Sequence, residues 1–247
     1  MCINYRYKNH SAATKKRKYK IKEVIEHIIK DIDRLKKMTK KIAVIDYGFG
    51  NIKSVLNALH HCNAEAHVID SPSKILDFGG AILPGVGAFG PAADFLKSKS
   101  FDKAICNYVD SGKMLYGICL GFQLFFTKSY ENGEYEGLNL ISGEVKKFEF
   151  EDKTLKLPHM GWNNIETANS AYSKKMFDTM GGKETFYFVH SYYGMPKDLS
   201  QASSFCNYGI NFCSSVAYQN VWGSQFHPEK SGEKGLKILS NFINEVK

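Results

Sequence analysis

The chain has 247 residues, 43% of them hydrophobic and 23% charged, which suits one globular domain with a sizeable core. No apolar run reaches the roughly 18 to 20 residues of a membrane helix, and the basic start lacks an apolar stretch with a small-residue cleavage site, so a cytoplasmic place off the membrane is expected. The net charge of +8 invites a nucleic-acid reading, but residues 1–40 hold 13 basic against 4 acidic side chains, and residues 41–247 hold 20 against 21; an electrically neutral body argues against nucleic acid as a partner.

Residues 1–40 read as a basic extension ahead of a single domain at 41–247. Residues 1–18 are polar and end in Lys15, Lys16, Arg17 and Lys18, a run expected to be disordered. From Ile21 to Leu35 apolar residues recur at helical spacing. That stretch reads as read-through from an upstream start or a dispensable extension, because Met38 lies just before the first core strand, with docking to a partner or surface and binding of nucleic acid as the other readings. After Lys41 short apolar runs alternate with helical stretches, the pattern of a doubly wound, mostly parallel open sheet of α/β class. Strands are expected at Ile42–Asp46, Ala66–Ile69, Ala81–Pro84 and Met114–Cys119, and helices at Asn51–Cys62 and Pro91–Asp110. An added antiparallel portion is expected from strand signals at Gly143–Phe150, Thr185–Tyr193, Ala202–Tyr208, Ser215–Ala217 and Val221–Phe226. A closing amphipathic helix spans about Glu233 to Val246.

Three stretches carry chemistry. Gly117-Ile118-Cys119-Leu120-Gly121 follows a strand and opens the helical run Leu120–Phe126, which is the nucleophile-elbow arrangement with Cys in the place of Ser. The glycines would permit a sharp turn, and a helix N-terminus would favour the thiolate. The competing reading is a buried, inert cysteine. A nucleophile needs an oriented base. Gln225-Phe226-His227-Pro228-Glu229 offers an imidazole and a carboxylate two residues apart after a strand, although a surface pair would look the same. Pro84-Gly85-Val86-Gly87-Ala88-Phe89-Gly90 can turn backbone amides toward an oxyanion. Its letters also match the dinucleotide fingerprint GxGxxG, but that belongs in the first strand-to-helix turn with an acid about 20 residues on. The six cysteines form no CxxC and read as reduced thiols. His60, His61 and Cys62 lack metal-ligand spacing, so neither metal nor cofactor is expected.

Together these stretches resemble the class I glutamine amidotransferases, and within them the glutaminase subunits of imidazole glycerol phosphate synthase. The resemblance covers about residues 41–247 and rests on six blocks in order: DYGFGN at 46–51, PGVGAF at 84–89, GICLGFQL at 117–124, LPHMGWN at 157–163, YFVHSYY at 187–193 and QFHPEKSG at 225–232. It implies a Cys119–His227–Glu229 triad that hydrolyses glutamine. It also implies an oxyanion hole from Val86, Gly87 and Leu120, and glutamine contacts at Gln123, Glu131, Ser191 and Tyr192. The segment Thr127–Glu136 departs from the family's more acidic pattern, which bears on Glu131. The resemblance further implies a (βα)8-barrel cyclase partner in a heterodimer of histidine biosynthesis, docked at Trp162, Tyr187 and Lys230. A paralogue feeding ammonia to the amidation of a surface-polysaccharide sugar, and a non-catalytic nucleotide-binding or scaffold protein of similar fold, remain as alternatives.

Overall fold

In the first strand, β1 (Lys41–Ile45), four consecutive residues from Ile42 to Ile45 are wholly buried. A strand with no polar face must be covered on both sides, and the computed structural model, which describes residues 39–247, shows how. Ile42 and Val44 join one apolar cluster with Val55, Leu59, Leu239 and Phe242. Ala43 and Ile45 join a second with Phe89, Leu96, Phe101 and Tyr108. The first cluster is roofed by α1 (Ile52–His61) and α6 (Gly232–Glu245), the second by α2 (Phe89–Ser98) and α3 (Phe101–Asp110).

β1 is flanked by β2 (Glu65–Ile69) and β3 (Gly80–Leu83), and β4 (Met114–Ile118) lies beyond β3. After α4 (Leu120–Gln123) come β5 (Phe126–Ser129), β6 (Tyr135–Glu136) and β7 (Ile141–Lys147). Then follow β8 (His159–Thr167), α5 (Ala171–Met176), β9 (Lys183–His190) and β10 (Tyr192–Pro196). The last strands are β11 (Ala202–Tyr208), β12 (Ile210–Tyr218) and β13 (Val221–Ser224). The main sheet runs β2-β1-β3-β4-β13-β12-β11-β8-β9, and a smaller sheet runs β10-β7-β5-β6. Pairing is parallel from β2 through β13 and antiparallel from β13 through β9.

The doubly wound sheet is present, with several local corrections. The single helix expected over Pro91–Asp110 is two, because Ser100 sits at φ +60° and turns the chain. The strand expected over Thr185–Tyr193 breaks at Ser191, where the chain leaves the main sheet as β9 and enters the small one as β10. The helical run expected over Leu120–Phe126 stops at Gln123, and Phe126 already begins β5. β12 is longer than Ser215–Ala217. β5, β6, β8 and α5 were not anticipated as elements; β8 escaped because His159–Thr167 alternates exposed and half-buried residues with few aliphatic ones. The readings of residues 1–38 lie outside the described residues.

Candidate active site

Cys119 stands directly after β4 at φ +53°, ψ −105°. A non-glycine residue held there costs on the order of 1–3 kcal/mol, and the surroundings must enforce it. They do so through backbone bonds: the Cys119 N–H donates to Ser224 O at 2.8 Å, and the Gln123 N–H donates to Cys119 O at 3.0 Å. The strain is carried by the cysteine and not by its glycines, neither of which has a positive φ. The glycines serve close approach instead. A Cβ on Gly121 would lie 1.8 Å from the Leu83 carbonyl oxygen, and one on Gly117 would lie 2.6 Å from the Phe125 ring. The expected help from a helix dipole is small, because α4 is one turn long.

β13 is the parallel neighbour of β4, with Ser224 opposite Ile118, so residues 225–229 leave the sheet at the same carboxyl edge as Cys119, where open α/β sheets place their sites. Gln225 Nε2 donates toward Cys119 Sγ at 3.7 Å. The His227 N–H donates to Tyr187 O at 2.9 Å, and Ser231 Oγ donates to His227 O at 2.6 Å. Those bonds fix the backbone of a residue whose Nδ1 meets Glu229 Oε1 at 2.8 Å, with both side chains 2% exposed. Burial alone would push the imidazole down, but Cys119 and Glu229 together outweigh it and hold the His227 pKa up at about 10. Cys119 thus acts on the ring, yet Nε2 makes no hydrogen bond of its own; such bonds commonly tighten only when substrate arrives.

A cleft of about 400 Å³ opens over Cys119 and His227 and brings together Val86, Gly87, Leu120, Gln123, Glu131, Ser191 and Tyr192. Every residue expected to hold the oxyanion or the substrate therefore borders one space. Their bonding differs from expectation in places. The Val86 N–H donates to Phe49 O at 2.6 Å and the Leu120 N–H donates to Gly85 O at 3.3 Å, so both are engaged within the protein. Gly87 sits at φ +101°, which favours glycine. Gln123 Nε2 donates to Tyr192 O at 2.9 Å and to Gln225 Oε1 at 3.0 Å, leaving its oxygen as the part able to meet a ligand. Glu131 Oε2 accepts the Phe89 N–H at 2.8 Å; burial raises its pKa, and that bond opposes the rise. A carboxylate at the first turn of α2 occupies the place a pyrophosphate would take, which removes the dinucleotide reading of GxGxxG.

Trp162 and Tyr187 face each other across β8 and β9 with ring centroids 6.2 Å apart, and Trp162 is 59% exposed. Met160, two residues earlier on the same face, is 63% exposed. Tyr187 lies 6.4 Å from the His227 ring, and Lys230, three residues beyond His227, is exposed. The surface thus begins where the cleft ends. Residues that sequence reasoning did not single out are Phe49, Gln225, His159 and His190. All but His159 touch the cleft or its donors, and all four lie in the six blocks quoted above. Among the described residues there is no group of three or more His, Cys, Asp or Glu placed to hold a metal ion, and no helix long and apolar enough to cross a membrane.

Residues 43–246 match the family described as glutamine amidotransferase class-I. A protein of Syntrophotalea carbinolica named imidazole glycerol phosphate synthase subunit HisH is 43% identical over 205 residues, which cover 81% of this chain and 98% of that one. The protein of the same name from Sulfurimonas denitrificans is 42% identical over 203 residues, covering 81% and 96%. An Arabidopsis thaliana protein named imidazole glycerol phosphate synthase hisHF, chloroplastic, is 41% identical over 205 residues, covering 82% of this chain and 34% of that one. Among solved structures, PurLQS from Thermotoga maritima superposes with a TM-score of 0.68 at 21% identity, covering 85% of this chain and 100% of that one; this is a likeness of fold.

Proposed function

The chain belongs to the class I glutamine amidotransferases and, within them, to the glutaminase subunits of imidazole glycerol phosphate synthase, and from that premise we propose how its residues hydrolyse glutamine. The observation that supports the reading most is a strained Cys119 beside a buried His227–Glu229 pair, on adjacent strand ends and at one cleft. The sulfur of Cys119 attacks the side-chain amide carbon of glutamine, forming a C–S bond and a tetrahedral oxyanion. With a pKa near 10, His227 carries a proton at neutral pH and delivers it to the departing nitrogen as the C–N bond breaks. Water then attacks the thioester, His227 takes its proton, and the C–S bond breaks to release glutamate. Glu229 keeps the ring oriented.

The oxyanion falls to Leu120 and to the Val86–Gly87 turn. For those amides to serve, the bonds to Gly85 O and Phe49 O must open, so the resting arrangement is short of its strongest electrostatic stabiliser. Glutamine is gripped by Glu131, Ser191, Tyr192 and the side-chain oxygen of Gln123. The ammonia passes to a separate (βα)8-barrel cyclase docked at Trp162, Tyr187 and Lys230, supplying nitrogen for histidine biosynthesis. The test is glutamate release by the full chain, with and without a barrel cyclase and its ribonucleotide ligand, beside a Cys119→Ala control. Turnover that depends on the partner and vanishes in the control is expected. Turnover that survives Cys119→Ala, or none under any condition, would overturn the reading.

A further inference from the structure

Between the docking face and the cleft lie two buried histidines that the chemistry above does not use. His159 opens β8, next to the exposed Met160, and is 3% exposed; His190 closes β9, next to Ser191, and is 6% exposed. His159 Nδ1 and His190 Nε2 are 2.9 Å apart, and His190 Nδ1 lies 2.8 Å from Tyr192 O. At the other end, Asn163 Nδ2 lies 3.2 Å from His159 Nε2 and 3.0 Å from Asn207 O, and Asn163 Oδ1 accepts the Asn164 N–H at 2.8 Å.

The polarity of this chain follows from its two ends. A carbonyl oxygen can only accept, so His190 Nδ1 carries a hydrogen and donates it to Tyr192 O. Asn163 presents its amino group, because its oxygen is engaged by Asn164, so His159 Nε2 accepts. The one arrangement in which every contact pairs a donor with an acceptor has both rings neutral, each protonated on Nδ1. Then Asn163 donates to His159, His159 to His190, and His190 to Tyr192 O. The surroundings favour neutrality as well. His159 is stacked between Phe188 and Tyr208, at 4.8 and 4.0 Å, and His190 lies 5.2 Å from Phe148 and from Phe212. Burial lowers the pKa of His159 to about 4; it lowers that of His190 to about 3, with His159 and His227 adding to the fall and the Tyr192 bond opposing it.

The far end of the chain is a cleft wall. Tyr192 O accepts from both His190 Nδ1 and Gln123 Nε2, so the carbonyl is pinned from two sides and the Ser191–Tyr192 corner, where the chain changes sheets, is held. We infer that His159 and His190 are positioning residues for glutamine: a neutral hydrogen-bond relay that carries the placement of docking strand β8 into the Ser191–Tyr192 wall of the cleft. This rests on the reading of that wall as a glutamine contact. A movement of β8 under a docked partner would reach the substrate through two side-chain bonds, with no need to displace the catalytic pair.

The test is steady-state glutaminase kinetics of the full chain with its cyclase. His159→Phe keeps a stacking ring and removes both nitrogens. It is expected to raise KM for glutamine about tenfold, the scale of one buried hydrogen bond, while kcat changes less than about twofold. His159→Asn can place an N–H near the position of Nδ1 and donate to His190, and it is expected to recover most of the KM. A wild-type KM in His159→Phe, or equal losses in both variants with the fold intact, would overturn the relay while leaving the Cys119 chemistry standing. An independent readout needs neither partner nor turnover: ¹⁵N NMR of the wild-type imidazoles near pH 7 should show both rings as Nδ1–H tautomers, and an Nε2–H ring at either position overturns the inference. A chain inactive with every partner would sink the glutaminase reading instead, and the NMR result would still decide the relay's hydrogen bonding.

Discussion

The two halves of the main sheet are built to different rules. In the parallel half, β1, β3, β4 and β13 are buried along nearly their whole length, and the ends of β4 and β13 hold Cys119 and His227, the proposed reacting pair. In the antiparallel half, β8 alternates exposed, half-buried and buried residues and sends Met160 and Trp162 into solvent. One half is rigid because both its faces are packed, and rigidity is what a strained cysteine needs. The other half borders the cleft through Pro158, just ahead of β8, and through Val189 and His190 of β9, with Ser191 and Tyr192 following as the chain passes to the small sheet, and so can answer to a surface. On the function proposed above, the sheet's change of direction divides the chemistry from the surface that would control it.

The largest effect should come from the parallel half. Cys119→Ala is expected to lower glutamate release on the order of a million-fold, as loss of a triad nucleophile does elsewhere, while the Tm changes little, because alanine keeps the Cβ and the same backbone strain and gives up only the sulfur. If a variant lacking the thiol retained measurable turnover, the division of labour would fail at its centre. Gly121→Ala is next: its Cβ would lie 1.8 Å from the Leu83 carbonyl oxygen, a clash with backbone that cannot rotate away. A cost of about 1–3 kcal/mol is expected, read as a Tm lower by several degrees, together with loss of activity as the elbow shifts. A neutral outcome would mean that the packing of β3 against the elbow is looser than the geometry states. In the antiparallel half, Trp162→Ala should weaken the cyclase complex by about 2 kcal/mol, or roughly thirtyfold in Kd by titration calorimetry, with little change in Tm because the side chain is 59% exposed. A large fall in Tm would return Trp162 to a packing role.

The same division explains what could be read from the sequence. The central parallel strands β1, β3 and β4 announced themselves as apolar runs, since a strand covered on both faces has no polar positions to blur it. The candidate triad was legible because its residues sit in short contiguous blocks whose glycines and proline fix the local turn. β8 was not: Met160 and Trp162 point outward while His159 and Asn163 sit on the inward face beside buried Ile165, so polarity does not alternate with burial in its first half. Nor could the break at Ser191 be seen, because Thr185–Tyr193 is one continuous run of strand formers and only the small sheet's pairing with β7 pulls Tyr192–Pro196 away. The commitments of Val86 N–H to Phe49 and of Leu120 N–H to Gly85 are tertiary bonds that no local pattern encodes.

The smallest effect is also the one that sets the two halves against each other within one measurement, the dependence of Tm on pH. His227 has its pKa raised from 6.5 to about 10, so its contribution to stability is complete below pH 6.5 and is lost as pH rises through 10. His159 and His190 have theirs lowered from 6.5 to about 4 and about 3. Their neutral forms suit the fold fully above pH 6.5, and stability is lost as pH falls from 6.5 toward those values, because the unfolded chain takes up protons first. The catalytic histidine should therefore shape the alkaline limb and the buried pair the acid limb. His227→Asn is expected to flatten the decline between about pH 6.5 and 10 and to soften the acid limb only slightly, by removing the push that His227 gives His190, whereas His159→Phe should flatten the acid limb below pH 6.5 and leave the alkaline one. If His159→Phe left the acid limb as steep as in the wild type, the ring would already be charging freely in the folded state, and a neutral pair could not be what holds the Ser191–Tyr192 wall.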